Sequence, residues 1–185
     1  MRSCWKTWGA LAVAAIALTG CSPTAGMQGA DGPSKAAVRE TQKQFPAFHA
    51  KDLSGKDVTS DIFARKKITV INIWGTFCPP CIGEMPELGE WARNMPKDAQ
   101  LIGIVCDISG EDDKKTIGEA QRILGDAHAD FVNLLPNKEI GQYLENVEAV
   151  PTTIFVDSQG KILGDPVLGA NVPQYQKIVS DYLHE

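Results

Sequence analysis

Residues 68–86 constrain the fold more than any other stretch of this 185-residue chain. They read Ile-Thr-Val-Ile-Asn-Ile-Trp-Gly-Thr-Phe-Cys-Pro-Pro-Cys-Ile-Gly-Glu-Met-Pro. The apolar, β-branched run that ends at Trp74 has the length and composition of a buried strand. The two prolines after Cys78 suit the first positions of a helix, where a missing N–H removes no hydrogen bond. The sequence therefore predicts a strand that passes through a glycine turn into a helix, with Cys78 and Cys81 at the helix start.

The position of the two cysteines predicts thiol–disulfide chemistry. The N-terminus of a helix carries partial positive charge and free N–H groups, which favour a thiolate over a thiol. The thiolate is the species that attacks a disulfide. We therefore predict that Cys78, at the helix end and nearer the surface, attacks a partner's disulfide. Cys81 lies one turn further in, and we predict that it resolves the mixed disulfide.

The remaining hydrophobic pattern predicts one α/β domain over residues 45–185, an ordinary length for a single domain. Its first segment predicts a β-hairpin with Gly55 in the turn. Ser60 is a candidate cap for a short helix that ends at Arg65. Pro166 indicates that the last strand lies at the edge of the sheet. We expect further strands at 100–106, 130–135, 153–156 and 161–168, and helices at 112–125, 137–144 and from 171 onward.

The N-terminal segment predicts export. Residues 1–20 combine a basic start with a short apolar run, which is typical of an export signal and too short to span a bilayer. The sequence Leu-Thr-Gly-Cys that ends at Cys21 resembles the cleavage box of bacterial lipoproteins, which implies that Cys21 carries lipid. An uncleaved anchor and a soluble secreted product are the alternatives. Residues 21–44 are rich in Ser, Pro, Gly and Ala, so we expect a flexible tether. In each case the domain works outside the cytoplasm, where disulfides persist.

Charge and residue spacing exclude several other classes. The net charge is −5 and no basic stripe is present, so we predict no binding to nucleic acid. His49, His128 and His184 are scattered along the chain without the spacing of metal ligands, and we expect them at the surface. Cys106 ends a predicted strand and is interpreted as a small core residue. We predict neither a metal nor another cofactor.

The segment Trp-Gly-Thr-Phe-Cys-Pro-Pro-Cys that ends at Cys81 resembles the active-site motif of thioredoxin-like proteins. Its continuation, Cys-x-x-Glu-x-Pro86, resembles the narrower TlpA/ResA type of extracytoplasmic thiol–disulfide oxidoreductase. The resemblance covers residues 45–185. It implies an α/β, thioredoxin-like fold in which helices flank a central mixed β-sheet and a β-hairpin precedes it. It also implies that Cys78 and Cys81 form a redox-active disulfide.

The resemblance also implies a substrate-contacting set of Trp74, Val150 and Pro151. In thioredoxin-like proteins the bond corresponding to Val150–Pro151 is cis and faces the two cysteines. The backbone of Val150 would then pair with the bound substrate like an added strand. An ordinary trans proline in a turn is the alternative, because cis bonds are a minority even before proline.

Glu84 is a candidate proton carrier. It follows Cys81 by three residues and lies on the same face of the predicted helix. If Glu84 is buried, its pKa rises, and it could take the proton of Cys81 during resolution. A solvated helix acid is the alternative. Cytoplasmic thioredoxins have a buried aspartate where this chain has Asn72, so proton transfer must rest on Glu84 or water. Phe77 replaces the tryptophan that usually precedes the first cysteine, and we expect it to keep the packing.

These features predict a membrane-anchored, extracytoplasmic thiol–disulfide oxidoreductase that mainly reduces disulfides of exported proteins. The resemblance implies partners such as apocytochrome c or oxidised proteins under repair, and a membrane electron donor of the CcdA or DsbD type. One alternative is a Sco-like copper-binding module, although that group has three residues between its cysteines and this chain has two. The other is a peroxidase of the peroxiredoxin type, whose Thr-x-x-Cys signature would require threonine at Gly75.

Overall fold

A mixed sheet of five strands forms the centre of the computed structural model, which describes residues 44–184. The strands of the described residues are, in chain order, β1 His49–Lys51, β2 Asp57–Thr59, β3 Ile68–Trp74, β4 Ala99–Val105, β5 Val132–Leu134, β6 Thr152–Asp157 and β7 Val167–Leu168. The five-stranded sheet has the order β5-β4-β3-β6-β7. Strand β3 pairs in parallel with β4, and β4 with β5, whereas β6 is antiparallel to both β3 and β7. The predicted mixed sheet is confirmed.

Helices cover both faces of this sheet. They are a 3₁₀ helix at Ser60–Arg65, followed by α1 Pro79–Asn94, α2 Lys114–Asp126, α3 Lys138–Leu144 and α4 Val172–His184. Successive side chains of a strand point to opposite faces. Val70 and Trp74 of β3 therefore pack with α1, α2 and α4, whereas Ile71 and Ile73 pack with the 3₁₀ helix and α3. All residues of β3 are buried, which is why an apolar run marks this strand instead of alternation.

Side-chain oxygens hold the first turns of three helices. Asp113, Asn137 and Asn171 each accept a hydrogen bond from the backbone N–H three residues further on. Such caps satisfy N–H groups that have no partner within the helix. They explain why α2, α3 and α4 begin where polar residues interrupt the apolar pattern.

The predicted hairpin forms from β1 and β2, which pair in an antiparallel register. Gly55 lies in its turn at φ +82°, a conformation that favours glycine. The prediction that Ser60 caps the following helix is wrong. Thr59 takes the cap position without capping through its side chain, because its hydroxyl group donates to Asp61 instead.

The last predicted strand, 161–168, is much shorter than expected. Only Val167–Leu168 pairs as β7, and Ile162 forms an isolated bridge with Val156. Two residues explain the interruption. Gly164 has a φ of +66°, which turns the chain out of the extended conformation, and Pro166 has no N–H to donate to a neighbouring strand. As Pro166 predicted, this strand lies at the edge of the sheet.

The predictions for the export signal, the lipidated Cys21 and most of the tether fall on residues 1–43, outside the described part of the chain. Gln44, at the end of the predicted tether, forms a bridge with Lys161. Within residues 44–184, no helix combines the length and the apolar character needed to cross a membrane.

Candidate functional site

The two cysteines lie at the start of α1, just after the turn that follows β3, as the sequence predicts. Cys78 occupies the N-cap position of α1, and Pro79 and Pro80 follow at its first positions. Cys78 and Cys81 are joined by a disulfide, with their Cα atoms 5.3 Å apart. The N–H of Cys81 lies 3.3 Å from Sγ of Cys78 and points at it. Cys78 is 4% exposed and Cys81 fully buried, so Cys78 is the more accessible sulfur of this pair.

A proline loop at the start of β6 faces the disulfide. The Val150–Pro151 peptide bond is cis, as expected, and the carbonyl oxygen of Val150 lies 3.5 Å from Sγ of Cys78. The N–H of Gly169 donates to the carbonyl oxygen of Pro151 at 2.8 Å. The loop is therefore connected to the edge of the sheet on one side and contacts Cys78 on the other.

An aspartate that the sequence analysis missed holds the turn before Cys78. The carboxylate of Asp107 accepts hydrogen bonds from the backbone N–H of Thr76 at 3.1 and 3.2 Å and from its hydroxyl group at 2.5 Å. Asp107 comes two residues after β4, which is parallel to β3 and ends at the same edge of the sheet. An acidic residue directly after a neighbouring parallel strand was the available signal.

Two aromatic residues of the motif do not behave as predicted. Trp74 is fully buried and its Nε1 donates to Oδ1 of Asn133 at 2.8 Å, so its side chain cannot contact a substrate at the surface. Phe77 does not keep the packing, because its side chain is 67% exposed and lies over Gly75. Trp74 is buried because it ends a strand that is covered on both faces, whereas Phe77 lies in the turn beyond that strand.

The exposed large apolar side chains of residues 44–184 all lie beside the cysteines or the proline loop. They are Phe77, Ile82 and Leu168. Phe77 precedes Cys78, Ile82 follows Cys81, and Leu168 pairs with Thr152, the residue after Pro151. Apolar side chains grouped in this way at a surface typically mark a contact area for another molecule.

Glu84 follows Cys81 by three residues in α1 and lies in a buried polar cluster with side chains of β3 and α4. It is 5% exposed. Its Oε1 accepts a hydrogen bond from Nδ2 of Asn72 at 2.9 Å, and its Oε2 lies 3.2 Å from the hydroxyl group of Tyr175. Burial raises the pKa of Glu84, the neighbouring charge of Glu87 adds to the rise, and the hydrogen bonds from Asn72 and Tyr175 oppose it. The alternative of a solvated acid is therefore excluded.

Asn72 connects this cluster to β6. Its second amide hydrogen is donated to Oγ1 of Thr153 at 3.0 Å. Its Oδ1 is buried and has no hydrogen-bond partner within residues 44–184. Sequence reasoning missed Thr153 and Tyr175 as members of the cluster. The only signal was that a buried tyrosine requires a partner for its hydroxyl group.

The remaining titratable candidates lie outside the site. Cys106 follows β4, is partly buried and has a free thiol. Burial, and to a smaller extent the charge of Asp107, raise its pKa to about 11. His49, His128 and His184 are exposed, as predicted. Within residues 44–184, no group of three His, Cys, Asp or Glu side chains is arranged to hold a metal ion.

The mixed sheet, the Cys-x-x-Cys disulfide at a helix start and the facing cis-proline loop define a thioredoxin-like protein. Comparison with protein families supports this assignment: the Redoxin family model matches residues 40–179. The chain therefore belongs to the redoxin family.

Individual relatives match shorter parts of the chain. The chain is 35% identical over 75 residues to the thiol-disulfide oxidoreductase ResA of Bacillus cereus, covering 40% of this chain and 43% of that protein. It is 27% identical over 124 residues to a thiol:disulfide interchange protein, a DsbE homologue, of Paracoccus denitrificans, covering 65% of this chain and 63% of the relative. The matches thus span less than two thirds of these two relatives.

A solved structure confirms the fold. A secreted disulfide oxidoreductase of Mycobacterium tuberculosis, homologous to DsbE of E. coli, superposes with a TM-score of 0.56 at 22% identity. The superposition covers 72% of this chain and 95% of that structure. At this level of identity the likeness establishes the thioredoxin-like fold.

Proposed function

We propose that this protein is an extracytoplasmic thiol–disulfide oxidoreductase that mainly reduces disulfides of exported proteins. The observation that carries the proposal is the Cys78–Cys81 disulfide at the N-terminus of α1, with Sγ of Cys78 3.5 Å from the carbonyl oxygen of Val150. The two curated relatives named above are called a thiol-disulfide oxidoreductase and a thiol:disulfide interchange protein, which supports the same activity.

The reaction moves two electrons through the cysteine pair. In the reduced protein, the thiolate of Cys78 attacks one sulfur of a substrate disulfide, and the other substrate sulfur leaves as a thiolate. Cys81 then loses its proton and attacks Sγ of Cys78. The mixed disulfide breaks, the second substrate sulfur leaves as a thiolate, and the Cys78–Cys81 disulfide forms. Substrate gains two electrons and the protein loses two.

Glu84 accepts the proton of Cys81 during the second step. Its raised pKa suits this role, because a carboxylate with a raised pKa is a stronger base than an exposed one. This chain has Asn72 where cytoplasmic thioredoxins have a buried aspartate, so Glu84 is the acidic residue of the buried cluster. Glu84 returns the proton when Cys81 is reduced again, so the pair gains and loses no proton over a full cycle.

The substrate binds along the loop that faces the cysteines. The backbone of Val150 pairs with an extended segment of the substrate around its disulfide. Phe77 and Leu168, which are 67% and 64% exposed, contact the apolar residues of that segment. Trp74 contributes to this surface only by holding β3 in place, since its side chain is buried.

The environment of Cys78 favours a reductant over a strong oxidant. A strongly oxidising dithiol requires extensive stabilisation of its attacking thiolate. Pro79 and Pro80 have no N–H to donate, and the N–H that reaches Sγ of Cys78 is that of Cys81 at 3.3 Å. A thiolate with little local stabilisation corresponds to a more negative reduction potential.

We further propose that lipid on Cys21 holds the protein on the extracytoplasmic face of a bacterial membrane, with residues 21–44 as a tether for the domain at 45–185. A reductant in this location requires electrons from the cytosol. A membrane protein of the CcdA or DsbD type would supply them by reducing the Cys78–Cys81 disulfide. Apocytochrome c and oxidised proteins under repair are the expected substrates.

The test is the reduction potential of the cysteine pair, measured in glutathione or dithiothreitol buffers. We expect a value well below that of a strong oxidant, which lies at about −120 mV. A Cys106→Ser variant is the matched control and should have the same potential. A potential as high as that of the strong oxidant would overturn the assignment as a reductant, and a failure of the reduced protein to exchange with any disulfide would overturn the activity itself.

A further inference from the structure

A buried side chain that the reaction above does not use lies against Glu84. The hydroxyl group of Tyr175 lies 3.2 Å from Oε2 of Glu84 and 2.8 Å from the carbonyl oxygen of Gly169. Its oxygen also accepts the N–H of Asn171 at 3.1 Å. The Tyr175 side chain is fully buried, so these protein groups take the place of water as its partners.

Two acceptors compete for the single hydrogen of this hydroxyl group. Burial raises the pKa of Tyr175, so the hydrogen stays on the tyrosine. When Glu84 is neutral, its Oε2 is a weaker acceptor than the carbonyl oxygen of Gly169, and Tyr175 donates to Gly169. When Glu84 is ionised, its carboxylate is the stronger acceptor, since hydrogen bonds to an ionised oxygen are roughly twice as strong as neutral ones. Tyr175 then donates to Glu84, and the carbonyl oxygen of Gly169 loses its donor.

The other groups around Glu84 do not interfere with this exchange. Asn72 of β3 donates to the opposite oxygen, Oε1, and to Oγ1 of Thr153. The hydroxyl group of Thr153 also hydrogen-bonds to Tyr175, which opposes the rise in the pKa of Tyr175 but does not compete for the Tyr175 hydrogen. On the helix that carries Glu84, the nearby charge is that of Glu87, which disfavours ionisation of Glu84. The hydrogen bond between Tyr175 and Glu84 is thus the one that changes when Glu84 gains or loses its proton.

Gly169 connects this contact to the surface beside the cysteines. Its N–H donates to the carbonyl oxygen of Pro151 at 2.8 Å, within the loop that faces Cys78. The preceding residue, Leu168, is exposed and belongs to the apolar group beside that loop. A hydrogen bond gained or lost at the carbonyl of Gly169 therefore acts on the segment 168–169, where the substrate is proposed to bind.

We propose that Tyr175 is a positioning residue that couples the protonation state of Glu84 to the segment 168–169 beside the disulfide. When Cys81 transfers its proton to Glu84, Tyr175 turns back to Gly169 and the segment is held more firmly, at the step that releases the substrate. When Glu84 gives the proton up, the segment loosens again. This inference deepens the proposed function, on which its catalytic relevance rests.

The coupling is tested by NMR on the full chain with the Cys78–Cys81 disulfide intact, so that neither cysteine titrates. The ¹³C signals of the Glu84 carboxyl group and the Gly169 carbonyl group are followed through a pH titration. We expect both signals to shift with the same midpoint. In Tyr175→Phe the Gly169 signal should stop responding while Glu84 still titrates, whereas Tyr182→Phe, on the same helix, should behave like the wild type.

Two results would overturn the coupling. One is a Gly169 signal that stays flat while Glu84 titrates in the wild type, and the other is a response that persists in Tyr175→Phe. Glu84→Gln gives a second test that keeps Tyr175, because the response of Gly169 should then disappear.

The catalytic consequence is read from the pH profile of disulfide reduction. In Tyr175→Phe the midpoint of this profile should shift, whereas a merely structural role would lower the rate equally at every pH. A wild-type protein that reduces no disulfide would refute the proposed function alone, since the NMR coupling does not depend on catalysis.

Discussion

The amide group of Asn72 donates a hydrogen bond to the carboxyl group of Glu84 across the junction of β3 and α1, with Nδ2 2.9 Å from Oε1. Both side chains are buried, at 0% and 5% exposure. Because the amide cannot ionise, Glu84 is the one acid of this cluster.

An acid in place of Asn72 should destabilise the protein at high pH. In Asn72→Asp, two buried carboxyl groups would lie within hydrogen-bond distance, and two carboxylates that share a site cannot both ionise readily. We expect a loss of about 2 kcal/mol or more in the free energy of unfolding at alkaline pH, and a smaller loss in acid. Urea unfolding of the oxidised protein measures it. Asn94→Asp, at an exposed position of α1, is the matched control. Equal alkaline stability of Asn72→Asp and wild type would contradict the prediction.

Removing the charge of Glu84 should flatten the pH dependence of stability. The pKa of Glu84 is raised in the folded protein from its ordinary value of 4.5, so the folded state binds this proton more tightly than the unfolded state. Its contribution is fully present below the ordinary pKa and is lost as pH rises through the folded pKa. Each unit of difference is worth about 1.4 kcal/mol.

As pH rises from the ordinary pKa of Glu84 through its folded pKa, the free energy of unfolding of Glu84→Gln should therefore fall less than that of the wild type. The measurement is the free energy of unfolding against pH, with the disulfide intact. Glu90→Gln, an exposed acid of the same helix, should follow the wild-type curve. Parallel curves for Glu84→Gln and the wild type would show that the carboxyl group of Glu84 keeps its ordinary pKa.

Truncating the exposed apolar residues should weaken reduction of protein disulfides selectively. Phe77→Ala and Leu168→Ala each remove apolar area from the proposed contact surface, worth about 1 kcal/mol, or roughly fivefold in KM. The rate with a small aromatic disulfide should change little, because such a substrate needs only the cysteines. Steady-state kinetics with both substrates separate the two effects. An equal loss with both would indicate damage to the cysteine pair instead of a lost contact.

The thiol of Cys106 should be unreactive in the folded protein near neutral pH. Its pKa is raised to about 11, so very little thiolate is present, and the thiolate is the reactive form. After reduction and brief treatment with iodoacetamide, peptide mass spectrometry should find Cys78 modified and Cys106 unmodified. Denatured protein is the control, in which both should react. Rapid modification of Cys106 in the folded state would refute the prediction.

Some sequence predictions were wrong because they depended on tertiary packing. The motif suggested Trp74 as a contact for substrate, yet the strand that carries it is buried on both faces. Phe77 was expected to pack and instead lies exposed, since the turn held by Asp107 leads it away from the core. In both cases the sequence identified the residue as part of the motif but did not show whether its side chain is buried. Burial depends on which faces the neighbouring elements cover.

The sequence alone determined the strand, the turn, the helix start and the cysteine pair, because residues 68–86 are contiguous and their geometry follows from local backbone preferences. Only the tertiary structure decided the environment of Glu84. Asn72 and Thr153 are 81 residues apart, and Glu84 and Tyr175 are 91 apart. These groups meet because the sheet and α4 pack around one buried volume, where each polar atom must find a partner among whatever the fold brings near. No local pattern encodes such a meeting, since it depends on burial and on long-range packing together.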